Sequence, residues 1–330
     1  MTQLDLLNNF INALHSKIRK KSELVNFISE SLNIEKDSAY RRLSKKVYFS
    51  ITEMGVLASK LGISIDSLFD HKFGGYRSTP AYTLHCPKSQ NSMNHLLNWM
   101  ESDLRILQDI TNESTDAGVI FNSLPIEFVM SYDNLLKFMY FKWGYYFVNS
   151  SEFKNFSLWK MPAKLELASG EIRNVYKNLE TMTYIWDVVS LSCLAKDIVY
   201  FYHLQSLTAD DVESIKRDLN RMLDDIEKVA DGISTDLFDS SKIQIYVSTV
   251  HLGTYFSYYI SDKKWYSSFH SFFIGSNFSD DYDNCIQVRE WMNSMKKVCT
   301  LISHSGAKER RLFFDEQHRI VNSINSSLIS

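Results

Sequence analysis

Over the first 70 residues apolar side chains recur every three or four positions, in short blocks separated by polar corners. That spacing predicts amphipathic helices with one face turned to a shared core. The first covers 2–18, with Leu6, Phe10, Ile11, Leu14 and Ile18 inward. The second covers 22–32, with Leu24, Phe27, Ile28 and Leu32 inward. A tight Asn33-Ile34-Glu35 corner leads into a third helix, KDSAYRRLSKK (36–46). Ala39 and Leu43 of that helix face the same core. Lys36, Asp37, Ser38, Tyr40, Arg41, Arg42, Lys45 and Lys46 are left facing outward. Asn suits the corner because it tolerates left-handed backbone. A fourth helix, 50–62, opens on Ser50 with Glu53 three residues on, the signature of a capping box, and closes on Gly62. A last short turn is expected from about Ser64 to Phe69, which makes five helices.

Periodicity then disappears. Gly74-Gly75, Pro80 and Pro87 mark a linker over 73–92, with Tyr82–Cys86 as a short strand inside it. The expected division is a head of residues 1–72, this linker, and a larger body of 93–330. Helical stripes return at 90–110, at 131–147 (SYDNLLKFMYFKWGYYF) and over 171–205. AGVIFN (117–122) reads as a buried strand. The cleanest helix is 208–231, opened by Thr208 with Asp211 and closed by Gly232. From 242 to 274 the residues turn β-branched and aromatic and alternate, which predicts a three-stranded antiparallel meander. A helix capped by Asp283 or Asn284 and running to about Ser303 follows, then a charged, partly peripheral helix over 308–325. The fold class expected is mainly α: a five-helix head, then a larger α+β domain with a small antiparallel sheet.

Two short helices at a steep angle, joined by three or four residues, form the helix-turn-helix unit that docks in the DNA major groove. LNIEKDSAYRRL followed by SITEMGVLASKLGISIDSLF resembles the Xre family of phage-repressor-like DNA-binding domains. The resemblance covers roughly the first 70 residues, and LASKLGISIDSLF is its most specific part. It implies base contacts from the start and outward face of the third helix, at Lys36, Asp37, Ser38, Arg41 and Arg42. Tyr40, Lys45, Lys46, Lys21 and Ser22 complete the candidate DNA-binding set. The chain departs from the family pattern at Asn33, where Gly is usual, and at Ser22-Glu23, where a Gln is usual. The element order of the body resembles GAF- or PAS-like sensor domains, without a shared motif.

Composition changes this picture in one respect. The net charge is −3, but it is unevenly spread. Residues 1–75 hold 11 Lys+Arg against 8 Asp+Glu, and the remainder 25 against 31. Within 17–46 the balance is 9 against 4, so a basic head joins an acidic body. That fits one end meeting phosphate and the other repelling it. The four cysteines, Cys86, Cys193, Cys285 and Cys299, form no CxxC pair, and reduced core thiols in a cytoplasmic protein are expected. Residues 2–18 are amphipathic and polar and do not resemble a signal peptide, and the apolar stretch 184–202 carries Asp187, Lys196 and Asp197, too charged for a membrane span.

Few other constellations carry chemistry. Asp280, Asp281 and Asp283 lack the Gly and Glu that a calcium loop needs, and read as helix capping. His251 and His270 could meet across the meander, but two histidines are an incomplete metal site. Ser190, Ser192 and Cys193 have no local base, and no hydrolase, zincin or P-loop motif occurs. The aromatic run Phe138, Tyr140, Phe141, Trp143, Tyr145, Tyr146, Phe147 has three readings: core, dimer surface or ligand-pocket wall. The alternation suggests that Tyr140 and Lys142 cannot both turn inward with Phe138 and Phe141. The expectation is a non-enzymatic, cytoplasmic regulator of transcription with no metal and no cofactor. It binds double-stranded DNA through residues 1–70, and its body (93–330) makes it a homodimer or senses a small-molecule or protein effector. The alternative is a protein-interaction module, antitoxin-like or adaptor, whose helix-turn-helix fold does not read DNA.

Overall fold

The apolar stripes of the first 63 residues converge on one small core. In the computed structural model the described residues are 3–18, 20–63, 65, 68, 83–84, 94–111, 115–148, 150–177, 179–236, 238–272 and 275–327. The chain divides into two compact units, Met1–Ala81 and Tyr82–Ser330. The first contains α1 (Gln3–Lys17), α2 (Lys21–Leu32), α3 (Lys36–Leu43) and α4 (Ile51–Leu61). Phe10, Ile11, Leu14, Leu24, Ile28, Ala39, Leu43, Met54 and Leu57 meet in its core. Phe49, from the α3–α4 connection, packs edge-on against Phe10 at 5.4 Å. The capping box of α4 forms as expected: Glu53 N donates to Ser50 Oγ at 3.2 Å and Ser50 N to Glu53 Oε2 at 2.8 Å. Gly62 closes α4 in the left-handed region, φ 64°.

Two expectations for the head need correction. Among the described residues it has four helices rather than five; the turn expected over 64–69 lies largely outside them, although Leu68 is buried in this core. The third helix ends at Leu43 rather than 46. Lys45 turns left-handed (φ 60°), and the Lys46 and Val47 amides double back to the Arg41 carbonyl at 2.9 and 3.2 Å.

The second unit is built on a mixed sheet in the order β1-β7-β6-β5-β2-β3-β4-β8. Its strands are β1 (Thr83–Leu84), β2 (Thr115–Phe121), β3 (Thr181–Asp187), β4 (Ile243–Ser248), β5 (Phe256–Ser261), β6 (Trp265–Phe272), β7 (Gly275–Ser279) and β8 (Cys299–Leu301). This replaces the small antiparallel sheet expected from the sequence. The centre, β2-β3-β4, is parallel. Parallel neighbours need long crossovers. The first runs through α6 (Ile126–Val129), α7 (Asp133–Phe147) and α8 (Ala163–Lys177), the second through α9 (Ser190–His203) and α10 (Ala209–Ala230). The expected meander is therefore split: β4 pairs with β3 and β8, while β5 pairs with β2 and β6. The antiparallel run is β5-β6-β7, closed by β1 from within the expected linker. β3 falls where a continuous helix was expected.

Both faces of the central strands are covered, which removes the alternation that marks a half-exposed strand. Ala117, Val119, Phe121, Met182, Tyr184 and Trp186 enter the large core beneath α5 (Asn94–Thr111), α6 to α10 and α12 (Ala307–Ser327). Ile120, Ile185 and Tyr258 turn the other way, onto Val288 and Met292 of α11 (Tyr282–Met295). α11 comes close because Gly118 has no side chain: a Cβ there would lie 2.6 Å from Met292 Sδ. The cap of α11 is Asp281, whose carboxylate accepts the Asn284 amide at 2.9 Å, two residues earlier than the nearer of the two expected positions. α12 is amphipathic: it buries Phe314, Val321 and Ile324 and leaves Lys308, Glu309, Arg311, Asp315 and Glu316 exposed, which fits a partly peripheral helix. No helix among the described residues is long and apolar enough to cross a membrane.

The aromatic helix α7 is enclosed on nearly every side. Phe138, Tyr140, Phe141, Lys142 and Trp143 are all buried, contrary to the alternation argument, because α9, α10 and the 151–159 segment close around it. Lys142 is accommodated by Asp197 of α9, 2.9 Å away, and burial pulls its pKa down. Of the three readings of this run, burial in the core is the one that Phe138, Tyr140, Phe141 and Trp143 fit; at its end Tyr146 remains 43 % exposed.

Candidate nucleic-acid interface

A chain makes a sharp corner between helices when one residue takes the left-handed conformation. Asn33 does so, with φ 52° and ψ 50°. The Ile34 amide returns to the Ser29 carbonyl at 3.0 Å, and Ser29 Oγ donates to the Ile34 carbonyl at 2.6 Å. These bonds hold α2 and α3 in the two-helix arrangement that their apolar faces require.

The opposite face of α3 is polar and open. Lys36, Asp37 and Arg41 are exposed, Ser38 is half-buried, and Tyr40 is 45 % exposed. Lys45 and Lys46 are exposed in the turn that follows. At the start of α2, Lys21 and Ser22 are exposed, and the Lys21 ammonium sits 4.6 Å from the centre of the Tyr40 ring. That contact joins the two helices across the outward face. Lys36, Arg41, Lys45 and Lys46 make no ion pair among the described residues, so their charge is available to an anionic partner.

Arg42 behaves differently from the outward role expected of it. Its side chain is 17 % exposed, and the guanidinium forks onto Glu53 of α4, Nη2 to Oε1 at 2.7 Å and Nε to Oε2 at 3.3 Å. Nη1 donates to the Ser38 carbonyl at 3.3 Å. The Arg42 hydrogen bonds hold the Glu53 carboxyl below the usual carboxylate range, against the raising effect of its burial. Seven residues separate α3 from α4, and helical spacing within α3 alone gives no sign of this partner.

The other singled-out groups do not assemble into a reactive centre. Asp187 is fully buried at the end of β3; its carboxylate accepts the Val189 and Leu252 amides at 3.2 and 2.7 Å and hydrogen-bonds His251 Nδ1 at 2.8 Å. That ties down the loop from β4 to β5. His270 lies instead on β6, against the Tyr255 ring at 4.2 Å and Ser268 Oγ at 3.2 Å. Burial pushes its pKa down to about 4. No cluster of three or more metal-ligating side chains occurs among the described residues. Ser190 accepts the Trp186 indole N–H, and Cys193 is exposed near Lys142. Burial raises the Cys285 thiol to about 12, which leaves it unreactive at neutral pH.

Comparison of the chain with protein-family models, with curated proteins and with solved structures found no match.

Proposed function

We propose that the chain is a sequence-specific double-stranded DNA-binding regulator of transcription that acts through α2 and α3. The observation that carries this reading is the pairing of a left-handed Asn33 corner with an open, basic outer face on α3. Lys21, Lys36, Lys45 and Lys46 supply charge for phosphates, which gives affinity and register. Ser38 and Arg41, one turn apart, read base edges; Arg41 suits guanine through two parallel hydrogen bonds. One such unit spans only a short half-site. The second unit therefore acts as the dimerising or sensing part, with half-sites about 34–36 Å apart on one face of the duplex.

The test is selection of a preferred site from random duplexes by the full chain, followed by titration over a range of salt. Arg41→Ala is expected to lose about 1–3 kcal/mol and relax one base position. Lys45→Ala is expected to weaken all sequences alike and to make the salt dependence shallower by about one ion. Light scattering of the full chain should give a dimer at micromolar concentration. No enrichment of any sequence, with no salt-dependent binding, would overturn the reading in favour of a protein-interaction module.

A further inference from the structure

The Arg42–Glu53 pair has no part in the DNA contacts just described, yet it sits directly behind them. One carboxylate serves two helices. Glu53 takes both arms of the α3 guanidinium, at 2.7 and 3.3 Å, and also accepts the Ser50 amide that begins α4, at 2.8 Å. The connection between the helices is tied at both ends. Lys46 N and Val47 N bond back to Arg41, and Phe49 is buried against Phe10. Within α3, Arg42 also holds the carbonyl of Ser38 at 3.3 Å. Ser38 is itself a candidate base reader, so the pair reaches the reading face through one hydrogen bond.

We propose that Arg42 and Glu53 are positioning residues: the pair fixes the pose of α3 on α4, and so decides which base edges Ser38 and Arg41 reach, while neither touches DNA. This rests on the reading of α3 as the DNA-reading helix. The chemistry favours it over a direct contact. A planar guanidinium forked onto a carboxylate has its best donors occupied, and a phosphate would have to displace Glu53 to reach them. Glu53 without its cation would repel phosphate; paired, it is neutralised.

A counter-intuitive consequence follows for Glu53→Gln. The change removes a negative charge and releases Arg42 toward solvent. Binding to random DNA should hold or tighten, while preference for the selected site should fall. A role limited to stability would weaken both together.

The experiment compares the full-length wild type with Glu53→Gln, Arg42→Gln, the double variant Arg42→Gln/Glu53→Gln and Arg42→Lys. The last keeps the cation and loses the fork, so a folded variant is secured for the comparison. Anisotropy titrations use the selected duplex and a random duplex of equal length over a range of salt, with circular dichroism as the check on folding. In Glu53→Gln the preference ratio should fall about tenfold, and the salt dependence on random DNA should steepen by about one ion. Arg42→Lys should lose preference with the wild-type salt dependence unchanged, and so should the charge-balanced double variant Arg42→Gln/Glu53→Gln; Arg42→Gln alone, which bares Glu53, should also weaken binding to random DNA. Variants that keep the wild-type preference overturn the inference while leaving the DNA reading intact. So does a salt dependence shallower by about one ion in the double variant Arg42→Gln/Glu53→Gln, which would make Arg42 a phosphate contact. A wild type that binds no duplex overturns the DNA reading and this inference with it.

Discussion

The head and the larger unit bury charge in opposite ways. In the head the shielded ion pair Arg42–Glu53 lies at the rim of a small core and joins neighbouring helices. In the larger unit Lys142 is buried on the aromatic helix α7, 4 % exposed, and meets Asp197, 55 residues further along the chain on α9. The contrast teaches that a small helical unit draws its definition from local devices such as caps, corners and short ion pairs. A large mixed sheet with helices on both faces draws it from contacts between distant segments. The six tryptophans provide a means to test this, because Trp99, Trp143, Trp159, Trp186, Trp265 and Trp291 all belong to the larger unit. Their fluorescence reads that unit alone.

The largest expected effect is that of Asp197→Ala. It removes the carboxylate that meets the buried Lys142 ammonium, and should cost about 3 kcal/mol. Urea unfolding followed by tryptophan fluorescence measures it. A loss below about 1 kcal/mol would place the pair with ordinary surface ion pairs and remove the contrast.

Next is the acid side of the same transition. Because the folded-state pKa of His270 is pushed down to about 4, from an ordinary 6.5, the folded imidazole stays neutral where the unfolded one takes a proton. Stability contributed by the neutral ring is therefore complete above about pH 6.5 and is lost as pH falls toward 4. The loss should be on the order of 2 kcal/mol at pH 4, allowing for partial solvation. His270→Gln should flatten the profile across this window; a variant that follows the wild-type slope would show that other groups set it.

Gly144→Ala probes packing density. A Cβ at Gly144 would stand 2.1 Å from the Phe153 ring, which is itself buried against Trp159 and Phe141. Because that ring must shift, the substitution should cost about 1–3 kcal/mol by the same fluorescence assay. A neutral result would mean the aromatic wall yields, and that its order is not imposed by packing.

The smallest effect belongs to the head. Ser50→Ala removes the side-chain half of the α4 capping box and should cost about 1 kcal/mol. Far-ultraviolet circular dichroism is the suitable measure, since the head carries no tryptophan. A loss under about 0.3 kcal/mol would mean that local devices matter less here than the comparison holds.

Much of the head was legible from residue order because its determinants act over a few positions. The 3.6-residue spacing of Phe10, Ile11 and Leu14, the Ser50–Glu53 box, and the left-handed corner at Asn33 each need only near neighbours. Thr208 with Asp211 opened α10 for the same reason. Helical spacing gave the outward positions of Lys36, Asp37, Tyr40 and Arg41, but not the inward turn of Arg42, whose partner belongs to the next helix. Legibility fell off where pairing is remote. The stretch Thr181–Asp187 carries apolar residues that fit a helical stripe as well as a strand covered on both faces. Which strands lie beside it is decided by crossovers of many residues, which leave no spacing to read.

The sequence by itself determined the helices of the head, their corner and the capping box of α4, the open basic face of α3, and the strand character of 117–121, 243–248, 256–261 and 265–272. Backbone preference and side-chain period act locally, so neighbours suffice to specify them. Only the tertiary structure decided that β2, β3 and β4 run parallel, that α7 is enclosed, that Lys142 and Asp197 meet, and that Arg42 turns back onto Glu53. Each of these depends on excluding water from two surfaces at once, and the second surface is brought there by the fold.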